Sequence, residues 1–299
     1  MGDAPTDAGI RTVEAEINYL LPGGPAINRR FVSAGVEVNT GTYASYPVQV
    51  RDARPIADRF TLDNSGFTLL AHTSAVTDFM NKEEVDRIYP DESAEAIKAA
   101  TGADFVAPMG WMVRTAGDLT KYRKPVKGYT HKGGVQPPAG EAHIDTSPQR
   151  ADMNARAVYA RVRPNGPGYR RFIYSSFWRA FSEPPQDWPL AVCEAGSVAP
   201  DEGVENVLVI ADSIPEGEGL FAPIAGEDKL PAAAIFHYNP AHRWWYVSNM
   251  TRDEALLLKF HDSDRSVAWR TPHTAFRDTS FENANIRASI EVRSVAFFE

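Results

Sequence analysis

The sequence predicts a mainly β, α+β fold: a double-stranded β-helix, or jelly roll, decorated by a few helices. Three observations point there. Runs rich in Val, Thr, Tyr and Phe recur along the chain, and some alternate apolar with polar residues, as a strand with one wet face does. Turn signals built from Gly, Pro and Asn separate them. The helical stretches are few and lie ahead of or between strand runs. At 299 residues the chain is long for one domain, but sandwiches and barrels of this size fold as one unit. One domain over 1–299 is expected, with 1–60 as an N-terminal extension packed on the jelly roll.

Taken in order, residues 1–10 are polar and expected to fray. Val13 to Leu20 reads as a strand that Leu21-Pro-Gly-Gly-Pro25 ends. Val36 to Val50 reads as one or two extended segments, and residues 60–71 as a strand pair around Asn64-Ser-Gly66. Ser74 is placed to cap a helix through Phe79, Val85 and Ile88. Tyr89-Pro90 interrupts it, Asp91 caps a second helix over Glu92 to Ala100, and Gly102 falls where a helix-ending glycine belongs. Phe105 to Val113 reads as a strand. Residues 115–140 form a long polar loop, and such loops are usually functional or disordered. Its lead into Ala142-His-Ile-Asp145 suits a lid or substrate loop; a solvated insertion is the alternative, and His131 within it reads as an exposed histidine.

Ser147-Pro148 starts a helix, with Ser as N-cap and Pro at the first position, running to about Val162. Phe172 to Phe181, Leu190 to Val198 and Val207 to Ile214 read as strands. Ala234–Tyr238 and His242–Val247 read as a hairpin around Asn239-Pro240. Thr251-Arg-Asp-Glu254 matches a capping box and predicts a helix through Leu256, Leu257, Leu258 and Phe260. Ser266 to Phe276 and Arg287 to Phe298 are expected as two neighbouring strands.

Composition narrows the function classes. Net charge is -8, with both signs intermixed, which argues against a nucleic-acid or anionic-membrane surface. The single cysteine, Cys193, excludes an intramolecular disulfide and a Cys-rich zinc site. It lies in an apolar run and reads as a buried small hydrophobe. Met1-Gly-Asp-Ala-Pro-Thr-Asp has neither a basic region nor an apolar signal core, and no apolar run approaches the ~18 residues of a span. A cytoplasmic location is expected. The expected partner is a small-molecule substrate, with a homodimer left open.

The residues that carry chemistry lie far apart in the chain. His143-Ile-Asp145 offers an imidazole and a carboxylate that would share one strand face. With seven histidines in the chain about one such His-x-Asp/Glu arises by chance. His273 supplies a third ligand. Two histidines and one carboxylate on one face leave open positions opposite, an arrangement suited to non-haem Fe(II). Arg287 and Ser289 are spaced to share a strand face, and a guanidinium grips a carboxylate with two parallel hydrogen bonds. Coming 14 residues after His273, Arg287 is expected on the strand beside it, so that a five-carbon dicarboxylate would bridge metal and guanidinium. A surface-strand arginine, as Arg293 is read, is the alternative. His261 is the rival distal ligand; near the end of the expected helix, and with no Arg-x-Ser following at strand spacing, it ranks behind His273. His237 and His242 flank a turn and are expected to face solvent, and His72 reads as structural. Trp178, Trp244, Trp245 and Tyr246 are candidate pocket walls, or core aromatics. Arg179 is a candidate second anion contact, or a structural ion pair.

Several stretches together resemble the CmcJ/AsaB family of oxygenases, which includes cephamycin-pathway hydroxylase relatives and fungal hydroxylase/desaturase proteins. They are Gly66-Phe67 with Asp78-Phe79 and Glu83-Glu84-Val85; His143-Ile-Asp145-Thr-Ser-Pro148; Trp178-Arg179; Gln186-Asp-Trp-Pro-Leu-Ala-Val192; His242-Arg-Trp-Trp-Tyr246; Asp253-Glu254; Asp262-Ser263; Pro272-His-Thr-Ala-Phe276; and Arg287-Ala-Ser-Ile-Glu-Val-Arg293. The resemblance spans roughly residues 60–298. It implies a jelly-roll oxygenase using Fe(II), 2-oxoglutarate and O2, usually on natural products. His261 departs from the family pattern, and so does the segment between Val113 and His143. Two other readings stand beside this one: a cupin-like metal enzyme that does not use 2-oxoglutarate, and a non-catalytic ligand-binding sandwich.

Overall fold

A computed structural model describes residues 9–25, 27–33, 36–117 and 135–299. In chain order the described elements are β1 (Thr12–Leu20), β2 (Asn28–Ser33), β3 (Val36–Asn39), β4 (Tyr43–Asp52), β5 (Phe67–Ala71), α1 (Lys82–Thr101), β6 (Phe105–Thr115), β7 (Val135–Gln136), β8 (His143–Ile144), α2 (Pro148–Val162), β9 (Arg171–Ala180), β10 (Leu190–Cys193), β11 (Val204–Ile210), β12 (Ala232–Ile235), β13 (Trp244–Tyr246), β14 (Glu254–Asp262), β15 (His273–Ala275) and β16 (Ala288–Phe298). They build two mixed sheets. One has the order β1-β4-β13-β10-β15-β8-β12-β11-β2-β3, the other β5-β14-β9-β16-β6-β7. This is the jelly-roll type of architecture expected.

Local rules explain much of it. β1 alternates exposed and buried positions up to Tyr19, so its apolar half, including Val13, Ala15 and Ile17, enters the core. The central strands β9, β14 and β16 are buried on both faces, with polar residues interspersed in the apolar runs of β9 and β16. The faces divide along β9. Phe172, Tyr174, Trp178 and Ala180 join the core between the sheets, whereas Ile173 and Phe177 join a second core under α1 with Val85, Tyr89 and Ile97. Ser147 caps α2, its side chain accepting from the Arg150 N–H, and Pro148 opens the helix as expected.

Five expectations change. A single α1 replaces the two helices; Asn81 caps it and Pro90 lies inside it, while Gly102 ends it at φ 70°. Ser74 bonds the Glu92 side chain and caps nothing. Residues 60–71 hold one strand, β5, after a turn. β12 and β13 do not pair with each other: β12 lies between β8 and β11, and β13 between β4 and β10. The largest difference is β14. Thr251 and Glu254 do make box-like contacts, the Thr251 N–H donating to the Glu254 carboxylate at 2.9 Å. The chain then enters a strand, not a helix. Ala255–Phe260 is apolar enough to be buried on either plan, so its pattern does not choose between them, and pairing with β5 and β9 decides.

Candidate metal and co-substrate site

Strand register brings the histidines together. β15 pairs antiparallel with β8, and the pairing places His273 directly opposite His143. Their ring centroids lie 4.5 Å apart. Asp145 follows β8 immediately. One ligand atom from each of His143, Asp145 and His273 lies within 4.8 Å of the others. The nearest approaches are His273 Nε2 to Asp145 Oδ2 at 3.4 Å and His143 Nε2 to Asp145 Oδ1 at 3.8 Å. Backbone carbonyls fix both imidazoles. His143 Nδ1 donates to Glu141 O at 2.8 Å and His273 Nδ1 to Thr271 O at 3.3 Å. A carbonyl only accepts, so each proton sits on Nδ1 and each Nε2 lone pair is free for a metal.

The segment that carries His273 is pinned from behind. Thr271 Oγ1 donates to Gly66 O at 2.8 Å, and the Thr271 N–H to Lys259 O at 2.8 Å. Gly66 sits at φ 83°, and a Cβ there would lie 2.2 Å from Thr271 Oγ1, so only glycine permits this approach. Phe260 stacks on the His273 ring at 5.3 Å.

Electrostatics favour a charged carboxylate between neutral imidazoles. Burial opposes ionisation of Asp145, but Arg293 and the two histidines outweigh it and hold the carboxyl well below its usual range. Burial, with His273 adding to it, pushes His143 down. His261 lies elsewhere. It is buried in β14, not at a helix end, stacked on Phe172 at 5.4 Å with its Nδ1 unpartnered.

A narrow cleft of about 30 Å³ leads from the three ligands between the sheets to Arg287 and is lined also by Trp178, Ser176 and Glu291. Arg287 is 1% exposed, yet its Nε and Nη2 have no hydrogen-bond partner; nor does Ser289 Oγ, also 1% exposed. Buried donors of this kind are rarely left empty. Burial lowers the guanidinium to about 9, with Arg114 adding to the effect. Two unpartnered guanidinium nitrogens at the end of a cleft that begins at a His/Asp/His cluster, with an unpartnered hydroxyl two residues on, match a molecule with a metal-chelating end and a distant carboxylate.

The neighbouring-strand expectation for Arg287 needs correcting. β15 belongs to the larger sheet, and Arg287 precedes β16 in the smaller one. The guanidinium therefore faces the His/Asp/His cluster across the sandwich, not along one sheet. Arg293 is also not a bystander on the surface. Its Nη2 donates to Asp145 Oδ1 at 2.8 Å and to Glu291 Oε1 at 3.0 Å. The signal for it was the alternation Arg287, Ser289, Glu291, Arg293, which puts all four on one face.

Of the candidate pocket walls, only Trp178 lines this cleft. Arg179 points to the other face of β9, into the core under α1. Trp245 packs on Phe60 and bonds Glu194, and Tyr246 faces Phe276. Trp244 donates to the Tyr19 hydroxyl at 2.8 Å. The His242 side chain is 1% exposed, between Tyr19 and Glu202, contrary to the solvent-facing position expected. His237 is exposed and His72 bonds Arg179. Gln136 to Ala139 border an outer opening of the site; residues 118–134 of the expected lid, with His131, lie outside the described residues.

Comparison with known proteins agrees with this geometry. Residues 17–297 match the family described as YDMC, the Oxidoreductase/YMDC permease-like domain. The chain is 31% identical over 301 residues to "Hydroxylase/desaturase efuI" of Hormonema carpetanum, covering 96% of each. It is 32% identical over 294 residues to "Alpha-ketoglutarate-dependent dioxygenase phiK" of a fungal species (strain ATCC 74256), again covering 96% of each. The chain belongs to this family of Fe(II)- and 2-oxoglutarate-dependent hydroxylases and desaturases. As a member it is a non-haem iron oxygenase with Fe(II) and 2-oxoglutarate as cofactors. In fold it is similar to the solved "iron and alpha-ketoglutarate-dependent endoperoxidase NvfI", with TM-score 0.74 at 24% identity, covering 96% of this chain and 98% of that one.

Proposed function

We propose that this oxygenase hydroxylates, desaturates or closes a ring on a small natural-product-like molecule. His143, Asp145 and His273 would hold the iron, and Arg287 with Ser289 would take the far carboxylate of 2-oxoglutarate. The observation that carries this is the pair of unpartnered buried nitrogens on Arg287, which lines the same cleft as the three ligands, with the unpartnered Ser289 hydroxyl two residues further along the strand. A metal enzyme that does not use a dicarboxylate leaves those donors unexplained. When bound, the iron supplies oxygen activation coupled to decarboxylation of 2-oxoglutarate. The chain's own contribution is placement. Arg293 and the carbonyls of Glu141 and Thr271 orient the ligands, while Trp178 and Leu258 wall the cleft against water. Asp145 occupies the position a halide would need, which argues against halogenation.

In this reading residues 1–299 act as one oxygenase unit. β1 with β4, and β2 with β3, extend the two ends of the larger sheet, in keeping with a packed N-terminal extension. Buried, unpaired Cys193, its thiol pushed up to about 12 by burial, suits a reducing cytoplasm. Among the described residues no helix is long and apolar enough to cross a membrane. The test is succinate release from 2-oxoglutarate on adding Fe(II) and air without substrate. Slow Fe(II)-dependent release, abolished in Asp145→Ala and His273→Ala but kept in His261→Phe, is expected; equal release from all four proteins would contradict the assignment.

A further inference from the structure

Three of the chain's six methionines converge on one cavity. Met109, Met112 and Met153 line a space of about 240 Å³ that reaches Asp145, together with Tyr174, Leu230 and the backbone of Gly110. It is separate from the co-substrate cleft. Arg293, bonded to both Glu291 and Asp145, stands with Glu291 between the two. The cavity owes its room to a β-bulge. The β16–β6 register shifts between Arg293 and Ser294, leaving Met109 without a partner, and Gly110 opposite Arg293 adopts φ 146°. Bulges of this kind re-aim side chains beside active sites.

Two features describe the occupant. Methionine is unbranched and polarizable, and fills against varied apolar shapes without a fixed contour. Tyr174 is 5% exposed, faces the space between the sheets, and its hydroxyl makes no hydrogen bond among the described residues. Burial raises this phenol to about 12, so it stays a neutral donor. Two cations edge the cavity: Arg150, which pairs with Glu205 and donates to Glu227 O, and Lys229.

We propose that this methionine-lined cavity is the substrate chamber and that it takes a bulky, largely apolar molecule with a ketone or hydroxyl oxygen that Tyr174 Oη hydrogen-bonds. This rests on the site reading above, since Asp145 connects the chamber to the proposed iron ligands. Tyr174 becomes a substrate-positioning donor, and Met109 and Met112 set which ring systems reach the metal.

Nile red, a neutral apolar dye with a carbonyl acceptor, is the probe. Its emission reports both apolar burial and hydrogen bonding to the carbonyl. Wild type should bind it with blue-shifted emission. Met112→Glu and Met153→Glu should each weaken binding at least tenfold; Met153 is 42% exposed, so a charge there spares the fold. Tyr174→Phe should weaken binding several-fold and move the emission further to the blue. Met80→Glu, at a position 36% exposed outside the cavity, should change nothing. Dye binding that survives both glutamates, or emission that does not move in Tyr174→Phe, overturns the proposal. Anaerobic titration of the same variants with Fe(II) and 2-oxoglutarate separates the two readings. Retained co-substrate affinity with lost dye binding supports the chamber. Failure of wild type to bind 2-oxoglutarate counts against the site reading and leaves the dye result to decide the chamber.

Discussion

Arg179 and Arg287 are both fully buried arginines of the smaller sheet, on opposite faces of it, and they differ in what fills their hydrogen bonds. Arg179 Nε donates to the Tyr89 hydroxyl at 2.9 Å; Nη1 donates to the carbonyls of His72 and Arg252, and Nη2 meets His72 Nδ1. Aromatic rings of Tyr89, Phe79 and Phe177 lie 5.3, 5.6 and 5.9 Å from its guanidinium carbon. The protein itself completes that site. Arg287 has Trp178 at 5.9 Å but leaves Nε and Nη2 open to the cleft. Burial alone does not mark a ligand-binding arginine. Burial with missing partners does, because the unmade bonds cost free energy until something makes them.

Substitutions should separate the two. Arg179→Ala removes the hub that joins β9, α1 and the Arg252 turn and strands several buried acceptors. It should cost on the order of 3–5 kcal/mol of stability, read by urea denaturation, with 2-oxoglutarate affinity of the folded fraction unchanged. Arg287→Ala should do the reverse. Losing one partner of a charge-assisted buried pair costs ~2–5 kcal/mol, so apparent 2-oxoglutarate affinity should fall roughly 30-fold or more while Fe(II) binding persists. Arg287→Lys should rescue only part, because an ammonium cannot reproduce the planar fork.

A third buried group sharpens the contrast through pH. Burial, helped by Arg265, lowers His261 to about 3. Above the unfolded value of ~6.5 the ring is neutral in both states and has no effect. As pH falls from there toward 3, only the unfolded chain takes the proton, so stability should drop by up to ~1.4 kcal/mol per pH unit. His261→Phe should remove one proton's worth of slope from denaturation midpoints measured between pH 6 and 4. The smallest effect belongs to Ser289→Ala, about 0.5–1.5 kcal/mol in 2-oxoglutarate binding. An Arg287-sized loss there would shift the anchor from the guanidinium to the hydroxyl.

Where local rules act alone, the sequence was legible. The Ser147 cap, the Gly102 stop and the alternation of β1 all follow from short-range geometry. His143, Asp145 and His273 were readable because metal chemistry restricts residue type and spacing. What stayed hidden depends on pairing across the sandwich. Nothing local says that β14 is a strand, since its apolar run suits a buried helix equally well. Nothing local says that Arg287 reaches the metal cluster from the opposite sheet, or that Arg179 and Trp178, adjacent in sequence, serve different faces. Arg293 lay in plain alternation with Arg287, but its role needed Asp145 across the gap.

The central claim is that one cleft holds a metal on His143, Asp145 and His273 and a dicarboxylate on Arg287. Anaerobic calorimetric titration of 2-oxoglutarate into Fe(II)-loaded wild type, Arg287→Ala and Arg179→Met tests it most directly. The account predicts saturable binding to wild type and to folded Arg179→Met, and at least 30-fold weaker binding to Arg287→Ala, by about 1.4 kcal/mol per tenfold. Wild-type affinity in Arg287→Ala would contradict it.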